Sequence, residues 1–137
     1  MKISMLDHLN LSVLNFDETV DWYGKVFGFE LMEEGVRDGV RWGTIQSGDA
    51  LICIYEKPGH ELLNSEITEP NEKIGVNHWG FRIEDENKWL DTIKKYDIDV
   101  KYGGVVPWNH SKSWYVFDPS GYEIEVAKWK NNKPRFS

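Results

Sequence analysis

The chain repeats itself, and that narrows the possible folds more than any other property it has. Leu6–Val13 (LDHLNLSV) places Leu9, Leu11 and Val13 on one face and His8, Asn10 and Ser12 on the other. Such alternation is the pattern of a half-buried strand. Val76–Ile83 (VNHWGFRI) alternates in the same way. Overlaying His8 on His78 brings Val13 onto Ile83, Val20 onto Leu90 and Tyr23 onto Ile93. Cys53 stands 45 residues after His8, and Glu125 stands 47 residues after His78. Matched landmarks over this length mark a duplicated unit.

Each copy reads βαβββ. In the first, Asn15-Phe16-Asp17 offers a helix N-cap, and Val20, Tyr23 and Phe27 follow at helical spacing before Gly28 as the stop. Strands are expected over Phe29–Glu34, Val40–Gln46 and Ala50–Tyr55, with turns at Gly35–Gly39 and Ser47-Gly48-Asp49. In the second, a helix over Glu86–Tyr96 is expected to bury Leu90 and Ile93. An extended stretch Val100–Val106 and strands Ser113–Phe117 and Gly121–Lys128 follow. The last two are joined by Asp118-Pro119-Ser120-Gly121, where Pro fixes φ and Gly accepts a positive one. Gly59–Lys73 has no period and reads as a linker or mobile loop. The expectation is one α+β domain, 1–137, of two tandem βαβββ modules (about 4–58 and 74–130). Their curved mixed sheets would surround a trough on the face opposite the helices.

Charge and cysteine usage remove several function classes. A net charge of −7 argues against nucleic acid as partner, since phosphate contacts need a basic surface. No apolar run approaches the length of a membrane span. The lone cysteine, Cys53, rules out an internal disulfide and makes a reducing cytoplasm the default compartment.

His8, His78 and Glu125 all fall opposite the apolar faces of their strands, and so look into the trough. Two imidazoles and a carboxylate are a donor set for Fe²⁺, Mn²⁺, Ni²⁺ or Zn²⁺. Three protein ligands leave positions at which an ion can chelate two neighbouring substrate oxygens. Glu123 shares the parity of Glu125, as a rival ligand or a partner that orients one. Arg82 shares that of His78, and either meets an anionic substrate or pairs with Glu123. Of the seven tryptophans, Trp42, Trp108, Trp114 and Trp129 are candidates to line a pocket.

The stretches "LDHLNLSVLNFDETVDWYGKVFGFEL", "GVNHWGF" and "SWYVFDPSGYEIEV" resemble the vicinal oxygen chelate superfamily. That superfamily includes glyoxalase I, bleomycin resistance proteins, fosfomycin thiol transferases and extradiol dioxygenases. The resemblance implies one divalent metal held by His8, His78 and Glu125, a small-molecule substrate and a homodimer. Four-ligand members carry a glutamate where Cys53 stands here, which favours the three-ligand members; a cysteine among Leu51, Ile52 and Ile54 also suits a small buried hydrophobe. Ser113-Trp114-Tyr115 is similar to the Ser-x-Tyr stretch of the fosfomycin thiol transferases, which implies that Ser113 and Tyr115 contact substrate. Asn10 stands where that subfamily has threonine, and only Lys101 and Lys112 are near the place of its anion-binding lysine. For a dioxygenase, His110 and Tyr115 are the available acid–base groups. Lyase, dioxygenase and thiol-transferase chemistries stay open. A metal-free drug-binding protein of the bleomycin-resistance type is the alternative.

Overall fold

The computed structural model describes residues 1–136. The chain divides into two compact units, Met1–Glu61 and Leu62 onward. The first contains β1 (Leu9–Val13), α1 (Phe16–Phe27), β2 (Glu30–Arg37), β3 (Val40–Ser47) and β4 (Ala50–Glu56). The second contains α2 (Ser65–Thr68), a 3₁₀ turn (Glu69–Asn71), β5 (Trp79–Arg82), α3 (Glu86–Tyr96), β6 (Val106–Pro107), β7 (Ser111–Phe117) and β8 (Glu123–Trp129). The sheet orders are β1-β4-β3-β2 and β5-β8-β7-β6. β1 runs parallel to β4 and β5 parallel to β8; the other pairs are antiparallel. The fold is therefore α+β, made of two repeated modules with mixed four-stranded sheets. Among the described residues no helix is long and apolar enough to cross a membrane.

In the first unit, α1 begins where Asn15 accepts the Glu18 amide through Oδ1 at 2.9 Å. It ends at Gly28, whose φ of 67° lets the Gly28 and Phe29 amides turn back to the Gly24 and Tyr23 carbonyls. Phe16, Thr19, Tyr23 and Val26 recur at the helical period and are buried. They belong to a core that includes Leu11, Val13, Ile45, Ile52 and Ile54. Each such side chain contributes about 1.5–3 kcal/mol on leaving water. The turn expected at Gly35–Gly39 is shorter than that. β2 runs on to Arg37, and only Asp38 and Gly39, with φ of 52° and 77°, make the reversal, as a two-residue hairpin loop requires. Gly35 lies in the strand opposite Trp42, where a Cβ would come within 3.1 Å of the indole nitrogen. It makes room for a ring and does not turn the chain.

The second unit departs from expectation in three places. α3 spans the expected residues, capped by Asp85 Oδ1 on the Lys88 amide, but it buries Trp89 while Leu90 is exposed. Trp89 and Ile93 are four apart and share a face, whereas Leu90 is rotated by one residue. Val100–Val106 is not a strand: Tyr102, Gly103 and Gly104 all have positive φ, and the ladder resumes only at Val106. The stretch expected as a linker holds α2 and the 3₁₀ turn, with Thr68 buried and Asn64 Nδ2 bonded to the Gly121 carbonyl at 3.0 Å.

Candidate functional site

The turn Asp118–Gly121 sets the register of the site. Asp118 Oδ1 accepts the Ser120 and Tyr122 amides, both at 2.9 Å, and Gly121 takes a φ of 96°. β8 then leaves with Glu123 opposite Phe117, Glu125 opposite Tyr115 and Ala127 opposite Ser113. On its other edge Gly80 of β5 lies opposite Glu125, so no side chain from that neighbour covers the carboxylate.

Glu125 is held at both oxygens. Ser113 donates to Oε1 at 2.5 Å, and His78 Nε2 lies 3.2 Å from Oε2. The His78 ring stands edge-on to Tyr115, with centroids 5.5 Å apart. These groups border a cleft of about 550 Å³ that His110, Trp108 and Trp129 also line. Burial, with the Glu125 charge adding to it, raises the pKa of the Tyr115 phenol, so its hydroxyl stays a donor at neutral pH.

Glu123 is buried and accepts the Tyr102 hydroxyl at 2.8 Å. That bond is the main reason the Tyr102 pKa is pushed up to about 12. Tyr102 also stands edge-on to Tyr115 at 5.1 Å. Arg82 does not pair with Glu123. It lies opposite Ala127, four residues along β8 and roughly 13 Å away at strand rise, and its Nη1 donates to the Asn132 carbonyl. Of the two lysines considered for an anion, Lys112 holds Glu86 and Lys101 holds Asp99.

In the first unit, His8 Nδ1 lies 2.7 Å from Asp7 Oδ2, and Asn10 is exposed on β1 opposite Cys53. Asn10 opposite Cys53 repeats the pairing of Gly80 with Glu125, so strand register makes Cys53 the counterpart of Glu125. Burial, with a smaller push from Asp7, raises the Cys53 thiol, so it is not poised as a thiolate.

The structure thus brings His78, Glu125, Tyr115 and His110 to one cleft, with Ser113 behind Glu125. Within the second unit no further His, Cys, Asp or Glu among the described residues completes a three-member cluster with His78 and Glu125. The pair still suits a divalent ion: an imidazole nitrogen and a carboxylate oxygen are aimed at one region, and the second carboxylate oxygen is already satisfied. Periodicity gave no sign of Tyr102, or of Arg135 and Phe136, which also line the cleft. For Tyr102 the following Gly-Gly pair was the available signal; the other two lie beyond the last periodic segment.

A family model for the Glyoxalase/Bleomycin resistance protein/Dioxygenase superfamily matches residues 5–126, and the chain belongs to that superfamily. Among its relatives is the metallothiol transferase FosB of Staphylococcus epidermidis, 24% identical in an alignment of 132 positions that covers 92% of this chain and 82% of that protein. The fold is also that of a glyoxalase family protein from Enterococcus faecalis, with a TM-score of 0.77, 19% identity and coverage of 93% and 99% of the two chains. The fosfomycin resistance protein FosX from Listeria monocytogenes, complexed with Mn(II) and sulfate, superposes with a TM-score of 0.68, 20% identity and 93% coverage of each chain.

Proposed function

We propose that this chain is a divalent-metal enzyme acting on a small oxygen-rich molecule in the cleft of the second unit. His78 and Glu125 are the proposed ligands. The observation that carries the reading is Glu125 itself. Ser113 fixes one oxygen at 2.5 Å, and the other lies 3.2 Å from His78 Nε2 at the edge of a cleft. A bound divalent ion supplies Lewis acidity toward two neighbouring substrate oxygens. Tyr115, kept protonated, donates a hydrogen bond to a developing oxyanion, and His110 exchanges the proton. Kinship to a metallothiol transferase makes thiol addition the first reaction to assay.

Mn²⁺ titration followed by electron paramagnetic resonance and elemental analysis tests the metal site. The expected result is about one ion per chain, abolished in His78→Ala. Ser113→Ala should weaken affinity by about 10–100-fold, the usual effect of removing a group that orients a ligand. Undiminished occupancy in His78→Ala removes the site.

A further inference from the structure

The cleft has a second part that neither His78 nor Glu125 explains. Trp108, on the turn between β6 and β7, and Arg135 and Phe136, on the tail after β8, line it too. The Phe136 ring meets buried Trp129 edge-on at 5.1 Å, yet Phe136 is 87% exposed and Trp108 is 53% exposed. Two large rings bare on one concave surface have apolar area to lose on binding a ligand.

The tail is tied in place. The Lys130 amide donates to the His110 carbonyl at 2.9 Å, and its Nζ to the Asn109 carbonyl at 2.8 Å. Arg82 holds the Asn132 carbonyl, where φ is 52°. The first two bonds attach the start of the tail to the turn that carries Trp108, and the Phe136 ring on Trp129 brings its end back to the same cleft. Arg135 brings a guanidinium to this cleft in a chain of net charge −7. Guanidinium both stacks on rings and pairs with carboxylate through two parallel hydrogen bonds. The volume of about 550 Å³ is in the range that holds drug-sized molecules.

We propose that Trp108, Arg135 and Phe136 seat an aromatic ring bearing a carboxylate. The substrate class is then an aromatic carboxylate, unlike the 1S,2S-dihydroxypropylphosphonic acid held by a FosX variant. The proposal rests on the reading of the cleft as the substrate site and adds the part that selects the ligand. Arg82 is a positioning residue that holds the tail.

Calorimetric titration of the full chain with three probes tests it: 2-naphthoate (ring and charge), 2-naphthamide (ring alone) and methylphosphonate (charge alone). 2-Naphthoate should bind at least tenfold more tightly than either of the others. Arg135→Gln should erase its advantage over 2-naphthamide, and Trp108→Ala its advantage over methylphosphonate. Phe136→Ser, at a tail position that is 87% exposed, should weaken 2-naphthoate severalfold. Equal binding of the three probes, or 2-naphthoate binding indifferent to Arg135→Gln and Phe136→Ser, overturns the proposal. The titrations are run on chelator-treated and Mn²⁺-loaded protein. The seat predicts the same ranking in both, so a metal site that fails the His78→Ala test leaves this result standing by itself.

Discussion

Tyr102 carries more of the site than its place in the sequence suggests. It is a non-glycine residue at φ 56°, a conformation that costs an L-residue about 1–2 kcal/mol. Such strain persists where surrounding contacts hold it. Here the contacts are the hydroxyl bond to buried Glu123 and the edge-on ring of Tyr115. Folding therefore favours the protonated phenol. A pKa raised from 10.0 to about 12 means that this stabilisation is complete below pH 10 and is lost as pH rises through the folded value. Absorbance titration at 295 nm should show Tyr102 as a late phenol near pH 12, with Tyr115 also raised, and Glu123→Gln should move Tyr102 toward 10 by replacing the carboxylate that accepts its hydroxyl with a neutral amide. A Tyr102 signal that titrates normally in the parent protein would contradict the bond. Nothing in the residue pattern exposed this pair: Glu123 was read as a rival or partner of Glu125 and a possible partner of Arg82, whereas its partner Tyr102 lies 21 residues earlier in an aperiodic loop.

The two long helices show what periodicity does and does not reveal. Their starts were legible, the first from the cap at Asn15 and the second from its period alone; Asp85 proves to cap α3 at the place equivalent to Asn15, and each accepts the amide three residues on. Their stops are equivalent in geometry but not in chemistry. α1 ends on Gly28 at φ 67°, α3 on Asp97 at φ 50°. Gly has no Cβ to strain in this region; Asp has one. Asp97→Gly should therefore stabilise the protein by about 0.5–1 kcal/mol, and Gly28→Ala should destabilise it by about as much or more. Urea unfolding of both variants checks the pair, and a destabilised Asp97→Gly would show that the Asp side chain has a role the cap geometry does not contain. The apolar stripe of α3 was misread for a related reason. Counting Leu90 and Ile93 fits the spacing, but Trp89 and Ile93 fit it equally, and the larger ring took the core.

At the scale of the molecule, the repeat was legible because the same strand pairing recurs: β1 beside β4, β5 beside β8, with Cys53 and Glu125 at matching register. What joins the copies was not legible, since Gly59–Lys73 has neither period nor repeat partner. The structure divides it. Leu62 onward goes with the second unit, tied by Asn64 to the carbonyl of Gly121. Past the 3₁₀ turn the chain changes character. Lys73 still bonds through its amide to Thr68, but every residue from Ile74 to His78 is exposed, Ile74 fully and Val76 at 78%. Proteases need several residues of extended, accessible backbone, and segments with few buried contacts open at little cost. Lys57 is followed by Pro58, a bond trypsin does not cleave, while Lys88 and Lys112 sit within α3 and β7, where cutting requires structure to open. Trypsin at native conditions should therefore cut after Lys73 before any other site outside the two chain ends. The fragments, read by mass spectrometry, should be 1–73 and a partner beginning at Ile74. A first cut at Lys112 would mean that β7, the strand carrying Ser113 and Tyr115, is the least secure part of the fold.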